Sequence, residues 1–276
     1  MIHEQASPDR YNCPVDGHAH LHSLSEVEST LEAAAAGFCH AGGRGPGLVG
    51  VLLLAQVAGN DVFESLQRHP AAGAWQLATA SDEPGTVIAR RQQVAVAIVC
   101  GRQLRTADGL ELLALGTAGT FPDGLSLPDA LAAVQRSGAL AVLPWGFGKW
   151  LGERGRRVSA ALASADPAVL FVGDNGSRLG WLGMPRGLRA AAQHGFRVLP
   201  GSDPFPFGRD YRRVGRFGFL AGIEADEAAP WRGLRQWILR QPASPPAYGT
   251  GSGPLRFLRN QLGIQVHKRL CQSGAM

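Results

Sequence analysis

Lysine is nearly missing from this chain: Lys149 and Lys268 stand against 25 arginines in 276 residues, a bias of composition rather than a functional signature. Cysteine is sparse as well. Cys13, Cys39, Cys100 and Cys271 show no C-x-x-C spacing, which excludes a thiolate zinc knot or a disulfide scaffold and reads as isolated thiols in a reducing compartment. No apolar run is long enough to span a bilayer, and the opening MIHEQASPDRYN has no apolar signal core. These absences lead to the expectation of a soluble cytoplasmic protein. No Walker A loop occurs, and no G-x-G-x-x-G follows a strand in Rossmann register; AGGRGPG (41–47) precedes a strand and reads as a loop.

Acidic residues stop at Glu227. Beyond it stand Arg232, Arg235, Arg240, Arg256, Arg259, Lys268 and Arg269, seven positives that exceed the whole net charge of +5. The remainder is slightly acidic, so its charge argues against a nucleic-acid-binding body. The basic end is a candidate contact for a membrane surface, an acidic partner or RNA; the plainer reading is a solvated tail.

Hydrophobic residues make up 45% of the chain, enough for one large core. Strand-like runs alternate with helical patterns over roughly 200 residues, the signature of an α/β fold with a mostly parallel sheet. CPVDGHAHL opens with a strand. Ser25-Glu26-Val27-Glu28 reads as a capping box for a helix reaching Ala36. LVGVLLLAQ is a buried strand, Asp61–Arg68 a short helix, and QVAVAIVCGRQLRTADGLELLALG a strand–turn–strand. Later, Ser126 caps a helix to Arg136, and ALAVLPWG, AVLFVGD and FRVLPGSD are strands separated by helices at 157–164 and 185–194. A last helix runs from Trp231 to Arg240. QPASPPAYGTGSGP (241–254) has linker composition. The division expected is a body over 1–240 and a linker with basic tail over 241–276.

Four polar clusters, DGHAHLH, PWGFGKW, GDNGSR and GSDPFP, each follow an apolar strand. In barrels the active site is assembled at that face from several strand ends. DGHAHLH places three of the chain's eight histidines and an aspartate within residues 16–22. On an extended strand, Asp16, His18 and His20, with His22 as a further candidate, would share one face. Buried ring nitrogens demand partners, and a metal ion satisfies them; the alternative is a surface loop or a hydrogen-bonded core pair. Asp203 can complete such a group as ligand or as proton acceptor, the alternative being a turn cap.

Asp16-Gly17-His18-Ala19-His20 and Gly201-Ser202-Asp203 resemble the opening H-x-H strand and the closing Gly-Ser-Asp strand end of the PHP family, the polymerase and histidinol phosphatase group within the amidohydrolase-like metal hydrolases. The resemblance covers residues 12–225 and implies a distorted, TIM-like, seven-fold β/α barrel with a metal cluster that hydrolyses phosphate esters. Departures accompany it. Leu54-Ala55-Gln56 stands where the family carries Thr-Asp-His. Gly101-Arg102-Gln103 replaces a Gly-Glu, Pro144-Trp145-Gly146 an Ala-His-Pro, and Phe205 the last histidine. What survives is His18, His20 and Asp203, enough for one divalent ion, zinc first and manganese or iron as alternatives, with an open position for water.

Expected roles follow: Asp203 and Lys149 catalytic, and Asp174, Asn175, Arg178, Trp145 and Gln103 in contact with a small polar substrate of phosphorylated or sugar-like character. Lys149 could instead be a surface lysine or a modified metal bridge, Asp174-Asn175 a turn, and Trp145, Trp150 and Trp181 core rather than pocket wall. Three functional readings remain open: a mononuclear metal-dependent hydrolase, a relative that binds a ligand without catalysis, and a scaffold held by its basic tail.

Overall fold

The computed structural model describes residues 13–44, 46–224 and 226–273, leaving aside the side chains of 266–273. Strand β1 (Cys13–Ala19) leads to α1 (Val27–His40), β2 (Gly47–Leu54) and α2 (Val62–Arg68). Six strands then follow with no helix between them: β3 (Ala71–Ala72), β4 (Trp75–Ala80), β5 (Glu83–Arg91), β6 (Val94–Val99), β7 (Gly101–Arg105) and β8 (Glu111–Leu115). Alternation resumes with α3 (Leu127–Arg136), β9 (Leu140–Pro144), α4 (Gly152–Ser164), β10 (Leu170–Asn175), α5 (Arg186–Gln193) and β11 (Val198–Gly201). The chain closes with β12 (Phe217–Ala221), α6 (Pro230–Arg240), β13 (Ala247–Gly249) and α7 (Pro254–Ser273).

These strands form two open sheets, not a barrel. The first has the order β13-β12-β1-β2-β6-β5-β4-β3 and the second β11-β10-β9-β8-β7. The expectation of a seven-fold TIM-like ring is therefore overturned, and the six-strand run explains why. Parallel neighbours need a crossover of a dozen or more residues, whereas short turns force antiparallel pairing. The connections from β3 to β6 and from β7 to β8 are short, and β3–β4, β4–β5, β5–β6 and β7–β8 are all antiparallel. They carry the first sheet outward past β6 and leave ring closure unmade. β3, β4 and β5 fall on residues to which the expected alternation assigns no element.

Apolar runs place the core. Val15, Val51, Val99, Val142, Phe171 and Leu199 pack between the two sheets. On the outer face of the first sheet, α1 lays down Val27, Thr30, Leu31, Ala34 and Phe38, a helical stripe at i, i+3, i+4 spacing. Leu31 is fully buried there, so Leu31→Ala should cost about 2–5 kcal/mol. The cap before this helix is not the capping box expected at Ser25. Ser23 accepts the Ser25 N–H and opens a 3-10 turn over Leu24–Glu26 that leads into α1. Further on, Ser126 caps α3 as expected, accepting from the Asp129 N–H.

The stretch with linker composition is docked. β13 pairs antiparallel with β12, Ser252 is buried, and the Ser252 N–H donates to the Arg178 carbonyl at 2.6 Å. Pro, Gly and Ser suit an edge strand with tight turns as well as a tether. α7 rests on the loop after β11, with Arg256 ion-paired to buried Asp210. Among the described residues, no helix is long and apolar enough to cross a membrane. Cys13, Cys39 and Cys100 are free, and burial pushes the Cys13 and Cys100 thiols up to about 12, which makes both inert.

Candidate metal centre

β11, an outer strand of the second sheet, ends against β1, an inner strand of the first, and glycine permits the close approach. A Cβ at Gly17 would stand 2.6 Å from the Pro200 carbonyl oxygen, and one at Gly201 2.1 Å from the His18 nitrogen. The contact is fixed by Asp16, which is wholly buried. Its carboxylate accepts the N–H groups of Ser202 (2.8 Å), Gly215 (2.8 Å) and His18 (3.3 Å). Asp16 thus ties together β1, the end of β11 and the approach to β12, and it stands apart from the histidine group.

That corrects the expectation that Asp16 shares a face with the histidines. Val15 packs into the inter-sheet core and Ala19 into the cluster under α1, although residues four apart share a face in an unbroken strand. The β1–β2 register shifts between Asp16 and Ala19. This irregularity swaps the faces midway along the strand, turning His18 and His20 toward the end of β11 while Asp16 is spent on backbone donors.

His18 Nε2 and His20 Nε2 lie 3.0 Å apart. Asp203 Oδ1 is 3.7 Å from the first and 3.4 Å from the second, and the three ligand atoms lie within 4.8 Å of one another. Two imidazole nitrogens facing each other can share only one proton, and 3.4–3.7 Å is too long for a good N–H···O bond. Ligands about 2.0–2.1 Å from one tetrahedral zinc ion stand about 3.3 Å apart. The spacings observed are close to those of ligands around a shared centre, and only the His18–His20 pair lies at a short hydrogen-bond distance. The residues therefore fit a single divalent ion.

Asp203 is held in place from several sides. Its N–H donates to the His18 carbonyl at 2.8 Å, Asn175 Nδ2 donates to its Oδ2 at 3.0 Å, and Ser177 Oγ donates to its carbonyl at 3.1 Å. Its φ of 45° is left-handed, a conformation Asp tolerates better than most residues and one that clusters at functional sites. Burial pushes the Asp203 carboxyl up, but the charges of His18 and His20, a hydrogen bond from His20 and the charge of Lys149 outweigh it and hold the group well below the ordinary carboxylate range. With one oxygen toward the histidines and the other bonded to Asn175, Asp203 is placed where it could serve as a ligand, and a strongly acidic carboxyl is a poor proton acceptor.

Burial lowers His18 to about 4, against the opposing charge of Asp203, so its lone pair is available at neutral pH. His18 Nδ1 is buried with no hydrogen-bond partner among the described residues, unlike the supported ligand histidines of most metal sites. His22 lies outside the set. Its Nε2 bonds to the Pro204 carbonyl at 2.9 Å, and its ring stacks on that of His20.

The remaining expected contacts divide. Asn175 reaches the centre, bridging Asp203 to the Trp145 carbonyl (2.9 Å). Asp174, next to it on β10, pairs with Arg178 through a two-oxygen contact of 2.7 and 2.9 Å, and Arg178 donates onward to Gly183; the two neutralise each other away from the histidines. The Trp145 side chain packs against the core beneath α3 to α5, as does Trp150, whereas Trp181 is exposed. Gln103 lines a cleft of about 240 Å³ with Gln56 and Arg102. Lys149 Nζ meets Glu111 Oε2 at 2.5 Å, and both charges act on His18. Glu111 carries no sequence signal of this role, since a single carboxylate heading an apolar strand forms no motif.

No family model matches the chain, and no curated protein matches it. Among solved structures it is similar to the crystal structure of PsfC from Pseudomonas syringae PB-5123, with a TM-score of 0.56 and 14% identity over 95% of this chain and 100% of that one. At that identity the likeness shows the fold alone. Neither a PHP nor a hydrolase identity gains support from these comparisons, so the motif resemblance rests on His18, His20 and Asp203 themselves.

Proposed function

We propose that the chain is a mononuclear metal-dependent hydrolase of small polar substrates, its centre formed by His18, His20 and Asp203. One observation carries the reading: three metal-ligating atoms converge at 3.0–3.7 Å, a grouping that the one short His18–His20 hydrogen bond and the long contacts to Asp203 satisfy only in part. A divalent ion held there by His18, His20 and Asp203 would supply Lewis acidity and lower the pKa of water to about 7. The chain's own part is to present two imidazoles and one carboxylate on rigid strand ends, with Asn175 fixing the carboxylate plane. Three protein ligands would leave room for water or substrate on such an ion, and the Asp203 side chain is 18% exposed, so the group is reachable from solvent.

The positions where ligands for further ions are missing are used otherwise. Gln56 is bonded to Asn60, Glu64 and Arg102, and Phe205 stacks on Phe207. A single ion fits this set better than a cluster. Hydrolysis of a panel of phosphate mono- and diesters, carboxylic esters and lactones, before and after chelation and zinc restoration, tests the activity. Turnover that chelation abolishes supports the reading. Tight binding of one ion with no turnover of any substrate would shift the weight to a binding protein.

A further inference from the structure

We propose that Lys149, steadied by Glu111, anchors a small oxyanion group, carboxylate or phosphate, on the substrate of the His18–His20–Asp203 centre. The inference rests on the metal reading above and names the substrate class that reading leaves open.

Lys149 is the only lysine among the residues with described side chains, the other being Lys268. It is joined to the centre by a short chain of contacts. Asn175 donates both to Asp203 and to the Trp145 carbonyl. The next residue, Gly146, begins a turn closed by the Lys149 N–H donating to the Gly146 carbonyl at 2.9 Å. The lysine stem folds back over Gly146, where a Cβ would stand 2.6 Å from Lys149 Cδ, so glycine is required for this path. Glu111 heads β8, which runs antiparallel to β9, and this brings its carboxylate to the rim where β9 ends. The ammonium therefore has one fixed partner instead of sweeping through solvent.

An ammonium has three donors, and Glu111 takes one. The Lys149 side chain remains 44% exposed, leaving capacity for a second acceptor. The contact chain through Asn175 and Gly146 sets the pair on the same rim as the ligands. Charge balance gives the sign. One divalent ion with two neutral imidazoles and one carboxylate carries +1, and the Lys149–Glu111 pair adds zero. The site then favours an anion, and Lys149 has donors to spare for it. Arg178 cannot compete for that role, because Asp174 and the Gly183 carbonyl already occupy it.

The test is calorimetric titration of inorganic phosphate, and separately acetate, into zinc-loaded wild type, Lys149→Met, Lys149→Arg and Glu111→Gln. Lys149→Met should bind zinc within about twofold of wild type but phosphate about tenfold or more weakly, the size of a lost charge-assisted contact. Lys149→Arg should recover most of the phosphate affinity, which separates loss of charge from loss of packing. Glu111→Gln keeps an acceptor for the ammonium while removing the competing negative charge, so phosphate should bind more tightly. A loss confined to phosphate assigns a phosphate group, and a parallel loss for acetate assigns oxyanions generally. Equal phosphate affinity in wild type and Lys149→Met, with zinc bound to both, overturns the proposal and leaves the metal reading standing. Failure of wild type to bind zinc removes both.

Discussion

The ends of β1 and β2 lie side by side, joined by the Ala55 N–H donating to the Ala19 carbonyl, and both carry buried polar side chains. They are satisfied in opposite ways. At β2 every polar atom of the Gln56 amide has a partner: Oε1 accepts from Arg102, and Nε2 donates to Asn60 and Glu64. At β1 two imidazoles face each other and a carboxylate stands off at 3.4–3.7 Å. A polar group that closes its own network is structural. Lone pairs that converge on one point can take up an ion from outside the chain.

Substitutions that treat the two ends alike should separate them most sharply. His20→Ala removes one of three ligands and should cost about a thousandfold in zinc affinity, read by competition with a chromophoric chelator. Gln56→Ala should leave zinc affinity within about twofold. An equal loss in both variants would erase the distinction.

Next in size is a pH effect on the metal-free protein. His18 titrates at about 4 in the folded chain against 6.5 unfolded, burial being the main cause. Below pH 6.5 the unfolded state takes up a proton that the folded state takes up only near pH 4, so stability falls as pH drops through that window, by on the order of 3 kcal/mol for this group. In His18→Gln that part of the slope should vanish from denaturant midpoints measured between pH 7 and 4. An unchanged slope would show that His18 is not buried in neutral form.

Asn175→Ala comes third. Loss of a residue that orients a ligand typically costs 10–100-fold in metal affinity, and about tenfold is expected here because the His18 contact and Ser177 still hold the Asp203 backbone. The smallest effect belongs to the other strand end. Gln56→Ala should lower stability by about 1 kcal/mol through lost hydrogen bonds, since Glu64 and Arg102 remain paired.

How much of this was legible in the sequence varies with the range of the interaction. His18, His20 and Asp203 were readable because polar residues at the ends of apolar strands are conspicuous, and the α/β alternation was readable from periodicity. The barrel was a misreading with a local cause: WQLATASDEPGTVIARR carries strand-forming residues about tight turns, and those strands redirect the whole first sheet. The face of Asp16 depended on the irregularity in β1, which leaves no mark in composition. Asp174 and Asn175 look alike in sequence, yet one is consumed by Arg178 and the other bonds to Asp203, a difference set by the alternation of faces along β10. Edge strand β13 was hidden in a stretch whose Pro, Gly and Ser suit a tether equally well.

The central claim is that the β1–β11 junction holds one ion. Elemental analysis of the purified protein after zinc loading and exhaustive dialysis, beside His20→Ala treated the same way, addresses it directly. One zinc per chain in wild type and none in the variant is the expected result. No retained metal in wild type after loading with zinc or manganese, or two or three ions per chain, would contradict the account.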